Sequence, residues 1–270
     1  MHLSGLFIYP VKSLRGIAVP AVELDEWGLV GDRRFLVVDA NNQFLTQRTL
    51  PRMAQIETAL EGGNLILRNP HHGSAAVSFA ESGPGTTVQI WRDSVTAIDC
   101  GVEIAVWLSD FLRHPCKLVR TGPDFARPVQ KPAAHPGDKV GFADAAPALV
   151  ISEASLAVLN DRILEHGGEP VPMNRFRPNF VISGCEAFAE DECTTLEIGD
   201  CVFRAAGRSE RCIMPGIDQL TGDRNKEPLR TLAIFRRDPN KPSAVHFGQN
   251  LINQSKTGTV RLGTSVELIA

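Results

Sequence analysis

Leu196-Glu197-Ile198-Gly199-Asp200-Cys201-Val202-Phe203-Arg204-Ala205 reads as two short apolar strands closed by a Gly-Asp turn. Glycine and aspartate tolerate the backbone a tight hairpin needs, so the pair sets an antiparallel register. The same pattern of short strand and turn residue recurs outward along the chain. Residues 3–10, 19–24, 35–39, 44–49, 65–67, 86–91, 94–99, 116–120 and 180–182 read as strands, and 260–269 as two more. So many short strands between Gly, Pro and Asn punctuation describe an antiparallel barrel or sandwich. The apolar period lengthens at 102–112 and 153–165, which predicts two helices, the first with Asp99 near its start and the second capped by Ser152. Residues 228–235 read as a third, shorter helix. The fold class expected is mixed and mainly β, with peripheral helices.

The hairpin leads into Ser209-Glu210-Arg211-Cys212-Ile213-Met214-Pro215-Gly216-Ile217-Asp218. Pro-Gly sets a turn there. A cation beside Cys212 favours the thiolate, which is both a nucleophile and a soft metal ligand. A buried structural thiol next to a turn fits the same residues. Cys100, Cys116, Cys185, Cys193 and Cys201 form no C-x-x-C pair and no zinc-type spacing with histidine. Reduced thiols are therefore expected, and an iron–sulfur centre is disfavoured.

Composition narrows the classes further. The chain has 270 residues, 43% hydrophobic and 22% charged, with a formal net charge of -3. That balance gives no general affinity for nucleic acid polymers or anionic membranes. No apolar run approaches the ~18 residues of a membrane span, and Met1-His2-Leu3-Ser4-Gly5-Leu6 lacks a secretory leader pattern. The expectation is a cytoplasmic protein of two units, 1–120 and 121–270. The second opens with a long Pro-, Gly- and Lys-rich loop, 121–141, suited to wall a pocket or to dock a partner.

Polar candidates cluster at strand ends. Lys12, Ser13 and Arg15 present two cations and a hydroxyl after Pro10, a set that suits a phosphate and equally suits a solvated hairpin. Arg33 follows Asp32, either as a local ion pair or facing a ligand. Arg175 and Arg177 alternate before Pro178 and Asn179, offering a planar fork and an amide to a heterocycle edge. His71-His72 lies among Asn, Pro, Gly and Ser and reads as an exposed loop.

Together these stretches resemble a known family. Tyr9-Pro10-Val11-Lys12-Ser13, Gly31-Asp32-Arg33, Leu45-Thr46-Gln47-Arg48 and Pro51-Arg52 resemble the N-terminal barrel domain that accompanies MOSC domains. Ser152-Glu153-Ala154-Ser155-Leu156, Arg175-Phe176-Arg177-Pro178-Asn179, Arg211-Cys212 and Phe247-Gly248-Gln249-Asn250 resemble the MOSC domain itself. The branch indicated is the amidoxime-reducing one and its bacterial relatives. The resemblance implies a molybdenum–molybdopterin cofactor between two β-barrel domains, with Cys212 as the protein thiolate on the metal. It implies Lys12, Ser13 and Arg33 around the pterin phosphate, and Ser152, Arg177 and Asn179 as further cofactor contacts, with Arg211 beside the cysteine. Asp218 falls where an acid organises the substrate side. The implied reaction is reduction of small N-hydroxylated compounds. The chain departs from the branch at Glu210, where a serine is expected, at Pro215 and Gly216, where two threonines are expected, and at Gln219, where proline is expected.

No haem-attachment motif and no GxGxxG after a strand is present, so electrons are expected from a separate iron–sulfur or haem carrier fed by a flavin reductase. The alternatives are a sulfur carrier acting in molybdenum cofactor sulfuration and a non-catalytic cofactor carrier.

Overall fold

The computed structural model describes residues 1–80 and 82–270. An eight-stranded sheet forms the larger half. In spatial order it runs Val266–Ile269, Thr195–Ile198, Cys201–Glu210, His246–Asn253, Ala148–Ser152, Phe180–Ser183, His2–Ile8 and Ile17–Ala18. The Gly199-Asp200 hairpin pairs Ile198 with Cys201 and Leu196 with Phe203, so Leu196, Ile198, Cys201 and Phe203 all enter the core. Phe203 meets Phe180 edge-on at 4.9 Å, both without exposure. Burying each such ring stabilises the sheet by roughly 1.5–3 kcal/mol.

One connection in this sheet is parallel, between Ala148–Ser152 and Phe180–Ser183. Parallel neighbours need a crossover. Helix Glu153–Glu165 supplies part of it, capped by the Ser152 hydroxyl, which accepts from the Ser155 amide at 3.0 Å.

The smaller half is a four-stranded sheet, ordered Phe35–Asp39, Cys116–Arg120, Asp93–Asp99 and Gly85–Ile90. Helix Val102–Leu112 packs on it through Ile104, Leu108, Phe111 and Leu112, the one-face spacing of a surface helix. Two three-stranded sheets complete the fold, Glu57–Glu61 with Asn64–Asn69 and Gly73–Ser78, and Thr259–Arg261 with Ala21–Asp25 and Gly28–Leu29. The architecture is mainly β, two barrel-like halves with peripheral helices.

The halves are interleaved. The first strand, His2–Ile8, lies in the larger sheet, pairing Leu3 with Ile182 and Leu6 with Phe180. The chain then crosses to the smaller half, where the Lys12 amide donates to the Phe35 carbonyl at 2.9 Å. That crossing carries Lys12 and Ser13 to the seam.

Two local expectations are corrected. Residues 44–49 do not form a strand: only Phe44 bridges to Val38, and the chain then turns on Thr46. The Thr46 carbonyl accepts from the amides of Thr49 and Leu50 at 3.1 and 2.9 Å, and its hydroxyl from Arg48 N at 3.3 Å. A threonine hydroxyl offers the backbone this alternative to a strand ladder. Asp99 accepts from the Gly101 amide at 2.9 Å rather than capping the first helix itself, and Gly101 is the N-cap at φ 94°. Phe247-Gly248-Gln249-Asn250 lies inside a strand, His246–Asn253.

Candidate functional site

A cleft of about 480 Å³ opens at the seam between the halves. Lys12, Arg33, Arg48, Lys131, Arg177 and Arg211 line it, against the carboxylates Asp144 and Glu210. Six cations facing two acids, in a chain of net charge -3, make a local anion site.

The floor is built from crossings of the backbone. Tyr9, fully within the core, lies between two guanidiniums, with Arg33 4.4 Å and Arg177 4.3 Å from its ring centre. Its hydroxyl donates to the Pro178 carbonyl at 3.0 Å, and burial pushes its pKa up to about 12. Arg33 donates to Asp32 at 2.7 Å and to Asn179 Oδ1 at 2.8 Å. Arg177 donates to the Leu14 carbonyl at 2.7 Å. Burial lowers the Arg177 pKa to about 10, which leaves it charged at neutral pH. Ser13, Arg33 and Arg177 all hold left-handed backbone, at φ 66°, 46° and 59°. Non-glycine residues kept there cost about 1–3 kcal/mol each and concentrate at sites of function.

Asn179 has no exposure. Its amide donates to the Phe7 carbonyl at 3.1 Å and to Asp32 at 3.0 Å, while its oxygen accepts from Arg33 and from the Leu149 amide. It ties the first strand to the Arg33 loop and to the Phe180 strand. Lys12, 5% exposed, pairs with Asp144. Burial lowers the Lys12 pKa to about 8 against the pull of that carboxylate. Burial would raise the Asp144 carboxyl, but Lys12, the Trp91 indole and Arg48 together hold it well below the usual carboxylate range. Arg127 fixes the backbone that carries Asp144, donating to the Gly141 carbonyl at 3.0 Å and to Asp93 at 2.7 Å.

The lip is set by the long strand Cys201–Glu210, whose register shifts twice beside His246–Asn253 before it delivers Arg211 and Cys212. Bulges of this kind re-aim a strand end. Arg211 donates to the Phe176 carbonyl at 2.8 Å and to Ser209 at 3.1 Å, while its buried Nε has no partner. Cys212 is the exposed member of the six free cysteines. The cation nearest its sulfur by hydrogen-bond geometry is Arg48, with Nη1 at 3.8 Å from Sγ and 3.9 Å from Met214 Sδ. Sequence reasoning assigned this pairing to Arg211 and left Arg48 out of the site, because the turn at Thr46 was read as a strand.

The structure therefore gathers Lys12, Ser13, Arg33, Arg177, Asn179, Arg211 and Cys212 around one cleft. It puts Ser152 and Asp218 elsewhere. Ser152 is fully buried as a helix cap. Asp218 fastens the loop after Cys212: it accepts from the Leu220 and Thr221 amides at 2.8 and 3.0 Å and from Arg175 at 2.8 Å. The Thr221 amide, ahead of the Leu220 amide and Arg175, holds its carboxyl below the usual range. Glu210 is held by Lys241 at 2.7 Å. Arg48, Trp91 and Asp144 are among the lining residues that sequence reasoning did not select. Lys131 brings the 121–141 loop into the cleft wall, while Lys139 pairs with Glu26 at 2.7 Å.

Among the described residues no group of three or more His, Cys, Asp or Glu could hold a metal ion. Cys212 offers a thiol in the cleft, beside the Met214 thioether, an array of cations and an unpartnered buried Arg211 Nε. That set fits an anionic organic group which brings most of its metal's ligands with it; it does not fit a bare ion.

The sequence comparisons agree with this fold. Residues 1–115 match the MOSC N-terminal beta barrel domain and residues 137–267 match the MOSC domain. The chain belongs to the MOSC family, with both domains present. Human mitochondrial amidoxime-reducing component 1 is 34% identical over 286 residues, covering 99% of this chain and 82% of that protein. Mitochondrial amidoxime reducing component 2 of Bos taurus is 34% identical over 281 residues, covering 98% and 82%. Molybdenum cofactor sulfurase of Danio rerio is 34% identical over 273 residues, covering 94% of this chain and 32% of that protein. The cytoplasmic expectation is corrected here, because relatives spanning nearly the whole chain are mitochondrial by name. Free thiols report a reducing environment, not one compartment, and the start of the chain was the wrong place to read an address. Among the described residues, no helix is long and apolar enough to cross a membrane.

Proposed function

We propose that this protein is a molybdenum cofactor-dependent reductase of small N-hydroxylated compounds. The observation that carries the reading is a cationic cleft ending at one exposed thiol, Cys212. The names of the amidoxime-reducing relatives supply the substrate class. Lys12, Arg33 and Arg177 would hold the terminal phosphate, and the free Nε of Arg211 would donate to the cofactor beside the metal. Cys212 would be the protein ligand to molybdenum, with Arg48 Nη1 3.8 Å from its sulfur. When bound, the cofactor supplies a two-electron metal centre.

The chain's own part is placement and charge. The floor is already hydrogen-bonded, so it pays little ordering entropy when an anion arrives. Glu210, in the cleft lining, is paired with Lys241, which offsets part of its charge. Asp218 and Arg175 keep the loop after Cys212 in one conformation.

Reduction of an N–OH group to N–H and water consumes two electrons and two protons. We expect the electrons from a separate iron–sulfur or haem carrier. Molybdenum-loaded protein should reduce benzamidoxime with reduced viologen, and should be inert with NADH or NADPH until a carrier and its flavin reductase are added. Steady NADPH-dependent turnover by this chain alone would overturn the partner assignment. Protein that carries a persulfide on Cys212 and no molybdenum would instead favour sulfur transfer, the activity named for the sulfurase relatives.

A further inference from the structure

Trp91 stands at the tip of the hairpin that joins Gly85–Ile90 to Asp93–Asp99. Ile90 pairs with Asp93, so Trp91 and Arg92 form a two-residue loop. Trp91 takes the first position at φ 55°, and Arg92 is not left-handed. Glycine is the usual occupant of such a position. A tryptophan there is a conformational outlier, and outliers of this kind persist only when the surroundings hold them.

The surroundings do hold it. Its indole Nε1 donates to Asp144 at 2.9 Å, its ring lies 5.1 Å from Phe44, and the Arg48 guanidinium sits 4.6 Å from the ring centre. The side chain still lines the cleft and remains 51% exposed. A large aromatic ring left half open in this way forgoes part of its apolar burial, so burial alone does not account for tryptophan at this turn.

Its position indicates what the open ring is for. Arg48 touches both Trp91 and the Cys212 sulfur, at 4.6 and 3.8 Å, so ring and sulfur lie within roughly 10 Å of one another across one guanidinium. The cations suited to a phosphate are deep, with Lys12 5% and Arg177 8% exposed. Trp91 is at the solvent side of the same cleft.

We infer that Trp91 is a stacking platform for the substrate, and that it selects planar, ring-bearing N-hydroxylated compounds over flexible aliphatic hydroxylamines. The inference rests on the reductase reading for its reaction, and on the hairpin geometry for its residue. An offset-stacked ring on an exposed indole gains affinity beyond area alone, and a flexible chain gains much less from the same surface.

The test uses cofactor-loaded full-length protein as wild type, Trp91→Gly and Trp91→Phe. Kinetics with reduced viologen are measured on benzamidoxime and on an N-alkylhydroxylamine. Binding of benzamidine, a planar compound that cannot be reduced, is measured by calorimetry. Trp91→Gly relieves the backbone strain and removes the indole donor to Asp144, opposing effects that should leave its thermal midpoint near that of wild type. Its KM for benzamidoxime and its Kd for benzamidine should each rise about 3- to 10-fold, and the benzamidoxime KM should rise by clearly more than the alkylhydroxylamine KM. Trp91→Phe should restore most of the benzamidine affinity. Equal KM rises for both substrates, or unchanged benzamidine affinity in Trp91→Gly, would overturn the platform. Loss of molybdenum from Trp91→Gly would also overturn it, by assigning the ring to the cofactor. If no variant turns over but benzamidine still discriminates wild type from Trp91→Gly, the platform stands and the reductase reading fails.

Discussion

The floor and the lip of the cleft are built on opposite plans. On the floor, Tyr9, Arg177 and Asn179 are buried and Arg33 half-buried, and they are linked across strands from both halves of the chain. At the lip, Cys212 is exposed and held by the course of its backbone, and Arg48 reaches its sulfur from a turn in the other half. A bonded floor can receive an anion without rearranging, whereas a sparse lip leaves room for a substrate. On the proposed function the floor would hold the cofactor and the lip would face the substrate, which predicts that substitutions in the two regions will fail in different ways.

Cys212→Ala should show the largest separation. Turnover with reduced viologen should fall to background while the denaturant midpoint stays at the wild-type value, because an exposed side chain is removed. A comparable loss of turnover in Cys116→Ala, whose buried thiol accepts from the Ser109 hydroxyl and does not line the cleft, would erase the contrast.

Arg177→Ala should break the floor in both senses. It leaves the Leu14 carbonyl without its charged donor and removes a cation, so stability should drop by about 2 kcal/mol in urea titrations and cofactor occupancy should fall. Unchanged stability with unchanged occupancy would reduce Arg177 to a surface-like charge and collapse the distinction.

A subtler difference should appear with pH. Lys12 has a folded pKa of about 8, below the ordinary lysine value of 10.5. Between those values the unfolded chain keeps the proton and the folded chain does not. Stability attributable to Lys12 therefore rises with pH across that window, as the cost of burying its charge is relieved. Anion affinity moves the other way. Sulfate, whose charge is constant, should bind the cofactor-free protein several-fold more weakly at pH 9 than at pH 7. Lys12→Met should flatten both slopes.

The smallest effect belongs to Glu210→Gln. Its partner Lys241 is exposed, so the pair contributes about 0–1 kcal/mol. Sulfate affinity measured by calorimetry should rise less than about threefold on removing this charge.

Much of this was legible in the chain. Lys12, Ser13, Arg33 and Arg177 stand at strand ends after proline or beside turn residues, where side chains face a seam. The Gly199-Asp200 hairpin and the Ser152 cap announced themselves by residue type. What escaped was set by geometry that pairs distant segments. Arg48 was hidden because apolar Phe44 and Leu45 suggested a strand, while the Thr46 carbonyl and hydroxyl turn the chain instead. Trp91 passed as the end of a strand, since nothing in residues 86–91 signals a left-handed tip. Asp144 sits among small residues and draws its meaning from Lys12, 132 positions away. Asn179 was visible as a polar group at a strand start, but its inward direction depends on the first strand pairing with Phe180–Ser183.

X-ray absorption at the molybdenum edge tests the central claim most directly. Protein purified from cells that make molybdopterin should carry molybdenum in a sulfur-rich shell, and Cys212→Ala should lose one sulfur from that shell. An identical sulfur shell in wild type and Cys212→Ala, or wild-type protein without molybdenum, would contradict the account.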